Sequence, residues 1–217
     1  MKILSHRGYW NKNISKNSKE SFINSFSKGF GTETDLRDYN GNVVISHDIP
    51  EQNTLISFET LLEIYLKYSS SEVIMHLALN VKADGLQIKA KQILDKYQIK
   101  DYFFFDMSIP DHIMYIKSNL KTFTRQSEYE LIPSLYEESK GIWLDCFEKI
   151  WFTEELISNH IAKTKKITFV SPDLHKREPY DFWNFLIQKK LNESNKLILC
   201  TDLPLEAKSY FNSNTIL

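Results

Sequence analysis

Short apolar, β-rich runs alternate with longer stretches of helical period along the whole chain. The runs that predict strands are KILS (2–5), TETDLR (32–37), MHLALNV (75–81), YFFF (102–105), KTFT (121–124), GIWLD (141–145), KITFV (166–170) and KLILC (196–200). Helical periodicity falls between them, near 19–28, 57–68, 86–97, 110–118, 128–138, 153–163, 178–190 and 205–211. Strict β/α alternation predicts a parallel sheet. Eight strand–helix units in 217 residues predict an α/β fold of the (β/α)₈ TIM-barrel type, at the small end of its size range. An open doubly wound sheet is the competing arrangement.

One segment breaks the alternation. Asn40-Gly41 is a strong two-residue hairpin turn, and the VVIS that follows (43–46) is apolar and β-branched. A small β-hairpin is therefore expected after strand two. With no linker, repeat or low-complexity tract, residues 1–217 read as a single domain.

Hydrophobic residues make up 42% of the chain and the formal net charge is −1, an ordinary soluble composition without the bulk basicity of a nucleic-acid binder. No apolar run approaches the roughly 20 residues that span a bilayer, and no signal-peptide core opens the sequence. Cys146 and Cys200 follow strand-like runs without metal spacing, which reads as two free core thiols in a reducing, cytoplasmic setting.

Barrel chemistry sits at the C-terminal ends of the strands, and here every predicted strand ends in polar groups. In order they are His6-Arg7, Glu33 and Asp35, Asn80 and Lys82, Asp106, Thr124-Arg125, Asp145, Ser171 with Asp173, and Thr201-Asp202. Glu33 and Asp35 are two apart on a strand, so both side chains share a face with Cβ atoms roughly 6–7 Å apart, close enough to converge on one hard cation. A solvated edge is the ordinary reading of Glu-x-Asp, but inward acids in an internal strand are costly unless used. His6 closes strand one and His47 closes the hairpin beside it, a placement that suits general acid and general base roles. His76, His112, His160 and His175 lack such company and read as packing or surface residues. Arg7 and Lys82 add two cations fitted to a phosphate. The combination is an inventory for phosphoryl transfer. No Gly-rich nucleotide loop, G-x-S-x-G, H-E-x-x-H or zinc spacing competes with it.

The runs S-H-R-G (5–8), E-T-D (33–35), S-H-D (46–48) and T-D-L-P (201–204) together resemble the glycerophosphodiester phosphodiesterases, relatives of the phosphatidylinositol phospholipases C. The anchors span residues 5 to 204. The resemblance implies that His6 and His47 are the acid/base pair, that Glu33 and Asp35 bind a divalent Mg²⁺ or Ca²⁺, and that Arg7 and Lys82 hold the phosphate. Asn17 matches the Asn of the family's Pro-Glu-Asn loop, whose Pro-Glu is Ser15-Lys16 here. Asn80 stands where the family has a third metal-binding Glu, with Asp106 and Asp145 as candidates for the missing charge. The helical SFETLLEIYLKY fills most of the span where the family carries a covering insertion. Tyr9, Trp10, Trp143 and Trp151 fall near strand ends as candidate pocket lining.

The expectation is a metal-dependent phosphodiesterase acting on a small-molecule phosphodiester. Two alternatives remain open at this stage. One is a degenerate barrel that binds a phosphorylated ligand without turnover; the other is an unrelated barrel isomerase or lyase using Glu33 or Asp35 as its base.

Overall fold

In the computed structural model, residues 1–51, 55–70 and 73–214 are described. The chain runs β1 (Lys2–His6), α1 (Lys19–Ser27), β2 (Gly31–Tyr39), β3 (Asn42–Ile45), β4 (Ile56–Ser57) and α2 (Phe58–Tyr68). It continues with β5 (Leu77–Val81), α3 (Gln87–Lys96), β6 (Tyr102–Phe105), α4 (Ile109–Lys117), β7 (Phe123–Gln126) and β8 (Gly141–Leu144). The last elements are α5 (Glu154–Ala162), β9 (Lys166–Val170), α6 (Tyr180–Gln188), β10 (Leu197–Thr201) and α7 (Pro204–Asn214).

The result is a mixed α/β fold on a central parallel sheet. Strand β1 pairs in parallel with β2 and with β10, and β10 continues through β9 and β8 to β7. On the other side β2 pairs in parallel with β5, and β5 with β6. Between β6 and β7 the contact is one parallel bridge, Phe104 to Thr122, with Phe104 N–H donating to Lys121 at 2.9 Å. The eight parallel strands thus each meet a neighbour on both sides. Strand β3 folds back antiparallel on the distal half of β2 through the Asn40-Gly41 turn and carries β4 on its outer edge. Asn40 and Gly41 both adopt the left-handed φ that this tight turn requires.

Alternation along the strands sorts the core. Leu4, Ala78, Phe103, Phe105, Trp143, Val170, Ile198 and Cys200 form the cluster enclosed by the parallel strands. The opposite faces pack on the helices in two larger clusters, one built around Phe22, Leu36 and Leu79, the other around Ile142, Phe169 and Trp183. Cys146 and Cys200 are both free and buried.

One expected element is absent. The 128–138 stretch forms turns instead of a fifth helix. Pro133 lacks an amide donor and biases Ile132 away from helical backbone, while Ser127 and Glu130 pair across a tight turn. Strand-end side chains then claim its carbonyls. Thr124 Oγ1 donates to Ser134 at 2.5 Å and Gln126 Nε2 to Leu131 at 2.8 Å. Ile132 ends up 90% exposed, so its helical-looking period marked no buried face.

Candidate active site

Strand register assembles the site. His6 lies opposite Glu33 across β1 and β2, and Asp35 lies opposite Asn80 across β2 and β5. In-register neighbours on parallel strands project to the same side. His6, Glu33, Asp35 and Asn80 therefore face one space at the C-terminal ends of the strands. Glu33 and Asp35 are 1% and 0% exposed.

The turn off β1 delivers the next group. Arg7 and Gly8 both take left-handed φ, at 60° and 84°, conformations costly for arginine and free for glycine. A Cβ on Gly8 would fall 2.3 Å from Ser21 Oγ, so the close approach to α1 also demands glycine. This turn sends the Arg7 side chain back over β2, where Nε lies 2.8 Å from Asp35 Oδ2. Lys82 Nζ approaches the other oxygen, Oδ1, at 3.6 Å. Asn17 donates from Nδ2 to Asp35 Oδ2 at 2.9 Å and accepts from Thr34 Oγ1 at 2.9 Å. Asn17 is a positioning residue for Asp35.

His6 is held from the far end of the chain. Its Nδ1 meets Asp202 Oδ1 at 2.7 Å, which leaves Nε2 turned to Glu33 Oε2 at 3.9 Å. Asp202 also accepts from Trp10 Nε1 at 3.2 Å and pairs with Lys16 at 3.5 Å. Lys16, standing where the family carries Glu, thus complements an acid. Burial lowers the His6 pKa below the ordinary imidazole value, with Asp202 opposing that shift. Burial alone would raise Asp202, yet the hydrogen bond and charge of His6 bring it net below the usual carboxylate value.

Glu33 is pushed up to about 8, by burial first and by the adjacent Asp35 charge second, with Arg7 and Lys82 opposing. Two buried acids this close need a cation between them to ionise together. Three buried oxygens in this set, Glu33 Oε2, Asp35 Oδ1 and Asn80 Oδ1, have no hydrogen-bond partner. Orphaned buried oxygens call for an explanation, and an all-oxygen donor set fits a hard divalent cation. Among the described residues no group of three or more His, Cys, Asp or Glu is placed to hold an ion, and the third oxygen in this set belongs to an amide.

The candidates for the missing charge are engaged elsewhere. Asp106 pairs with Arg125 at 2.9 Å and accepts from Asn80 Nδ2 at 3.3 Å, which makes it the residue that orients Asn80. Asp145 binds His175 Nε2 at 2.7 Å, so His175, expected to stand alone, has a rim partner. His76, His112 and His160 are buried.

His47 sits apart on the loop after β3, its side chain 44% exposed, with Nδ1 2.9 Å from Asp48 Oδ1. Arg37 Nη2 donates to its carbonyl at 3.0 Å and steadies the loop. His47, Arg7, Lys16 and Asn17 line one open cleft of about 810 Å³. His6 does not line that cleft. The aromatic candidates divide. Trp143 is only 5% exposed and stacks on Phe105 at 3.9 Å, so it packs the interior in place of lining a pocket. Tyr9 packs edge-on against Phe30, Trp10 braces Asp202, and Trp151 donates to the Asp145 carbonyl at 2.7 Å. Asp202 is the residue whose role sequence reasoning missed, although T-D-L-P pointed to its position.

No family model and no curated protein matches the chain. Solved structures do. A Galdieria sulphuraria protein assigned as a glycerophosphodiester phosphodiesterase superposes with a TM-score of 0.75 at 15% identity, over 97% of both chains. An Oleispira antarctica phosphodiesterase in complex with its product sn-glycerol-3-phosphate gives 0.69 at 17% identity, over 98% of this chain and 97% of that one. A glycerophosphoryl diester phosphodiesterase from Parabacteroides distasonis gives 0.65 at 15% identity, over 98% and 86%. The chain has the fold of the glycerophosphodiester phosphodiesterases. Among the described residues no helix is long and apolar enough to cross a membrane.

Proposed function

We propose that the protein is a divalent-metal-dependent phosphodiesterase on a (β/α)₈ barrel, cleaving a glycerophosphodiester-like small molecule. The observation that carries the reading is the set of three buried oxygens without a hydrogen bond on Glu33, Asp35 and Asn80, flanked by Arg7, Lys82 and the Asp202-held His6. Those three residues would hold Mg²⁺ or Ca²⁺. When bound, the ion would supply charge stabilisation to a phosphoryl oxygen.

The chain's own groups do the rest. Arg7 and Lys82, both partly exposed, bind and orient the phosphodiester as its negative charge is redistributed. Asp202 holds the Nδ1 proton of His6, so Nε2 is free to take a proton from the attacking hydroxyl or water. His47, exposed at the cleft, gives a proton to the departing alkoxide. The reverse assignment of acid and base uses the same atoms. Binding without turnover gains no specific support, because His6 keeps both its orienting acid and its free nitrogen.

The test is the hydrolysis of a glycerophosphodiester with and without a chelator. Turnover that disappears with chelation and returns with added Mg²⁺ or Ca²⁺ supports the reading. Chelator-insensitive turnover, or none in any divalent ion, contradicts it.

A further inference from the structure

The opposite mouth of the sheet, where the strands begin, carries charge that phosphodiester cleavage does not use. Leu4, Ala78, Phe123 and Val170 lie in the enclosed cluster. Counting back along each strand by twos keeps the same face. That count puts Lys2, His76, Lys121 and Lys166 on the inward side at this mouth. A cavity of about 310 Å³ opens there. Lys100, Lys121, Lys140 and Lys166 line it, with Asp101 as its one carboxylate. Its apolar wall is Phe103, Phe123 and Ile198, the two phenyl rings stacked at 3.8 Å.

Among the described residues none of these lysines forms an ion pair. The lysine ion pairs among the described residues belong to Lys16, Lys82, Lys91 and Lys189. Lys121 Nζ donates to the Lys100 carbonyl and lies over the face of Tyr102. His76, 6% exposed, lines both this cavity and an adjoining one of about 380 Å³ that includes Lys2 and Lys208. Its nearest carboxylate, on Asp101, is 3.9 Å away. The imidazole is pushed down to about 3, by burial first and then by Lys2, Lys166 and Lys121. Like charges gathered in a concave, partly apolar site concentrate anions there, and an ammonium serves phosphate or carboxylate as a point charge.

We propose that this mouth is a second ligand site, for a small organic polyanion. Its phosphate or carboxylate groups meet Lys121, Lys140 and Lys166, and its apolar body rests on Phe103, Phe123 and Ile198. The site lies at the far end of the strands from His6 and Glu33 and stands independently of the catalytic reading.

Calorimetric titration of the full chain tests it with ADP, naphthalene dicarboxylate, inorganic pyrophosphate and adenosine. At least one organic polyanion, ADP or the dicarboxylate, binds more tightly than pyrophosphate or adenosine, and the stronger of the two identifies phosphate or carboxylate as the preferred group. Binding persists in K82Q, which removes a phosphate-holding cation from the catalytic cleft, and K121Q/K166Q weakens it by roughly tenfold or more while circular dichroism is unchanged. K140Q, a milder change at the rim, produces a smaller loss in the same direction. The proposal is overturned if neither organic polyanion binds, if pyrophosphate or adenosine binds as tightly, or if the lysine variants bind like the parent.

Discussion

The Nδ1 of His6 lies 2.7 Å from Oδ1 of Asp202, a contact between residues 196 positions apart in the chain. It exists because β1 pairs with β10, so that Ser5 lies opposite Thr201 and the residues that follow leave the sheet side by side. Asp202, held below the usual carboxylate value, accepts as a carboxylate and so favours the proton on Nδ1 of His6. Asp202→Asn would keep the shape and lose the charge. We expect turnover to fall roughly 10- to 100-fold with little change in KM. The acid limb of the rate profile, already below the ordinary imidazole pKa because His6 is buried, would move further down, since Asp202 is what raises the His6 value. A pH–rate profile of the variant checks both effects, and a profile identical to the parent's would remove Asp202 from the mechanism.

Asn80 supplies an amide where two buried carboxylates already face each other. Asn80→Asp would add one negative charge beside Glu33 and Asp35. Divalent-ion affinity, measured by calorimetry, is expected to rise by roughly tenfold, about 1.4 kcal/mol. In ion-free buffer the same variant would be less stable than the parent, because a third buried acid joins two that already repel. Unchanged ion affinity would remove Asn80 from the ligand set.

Trp143 fills the interior against Phe103 and Phe105. Trp143→Ala is therefore expected to cost about 3–5 kcal/mol of stability, read by urea unfolding. Tyr9→Ala, at a half-buried position, would cost much less. A stable Trp143→Ala protein with a raised KM would return Trp143 to the pocket.

Acid stability follows from two buried imidazoles. His76 and His112 are held neutral in the fold, pushed down to about 3 and about 4, in each case chiefly by burial. In the unfolded chain they titrate near ~6.5. Between those values the unfolded state binds the extra protons, so stability is full above about 6.5 and falls as pH drops. The decline ends near 4 for His112 and near 3 for His76. Each group contributes at most about 1.4 kcal/mol per pH unit. Urea titrations at several pH values should show a shallower acid decline in His112→Asn than in the parent, and parallel curves would contradict this assignment.

Local signals in the chain carried much of this architecture. The β/α alternation, the Asn40-Gly41 hairpin and the shared face of Glu33 and Asp35 are all written in residues a few positions apart. What stayed hidden depends on long-range pairing. The His6–Asp202 and Asp145–His175 contacts need strand neighbours whose order no local pattern states. Nearness to a strand end makes Trp143 a pocket candidate, but the alternation that turns its ring inward outweighs that position. The 128–138 stretch has helical spacing, but Pro133 and the carbonyl contacts from Thr124 and Gln126 decide its backbone.

In the proposed mechanism His6 and His47 divide the proton transfers of one phosphodiester cleavage. The most direct measurement is the hydrolysis rate of a glycerophosphodiester by H6A and H47A, with added divalent ion and with substrate binding measured in parallel. Rates lowered roughly 10²- to 10⁴-fold in each variant, with binding retained, are what the mechanism predicts. Parent-like turnover in either variant would contradict it.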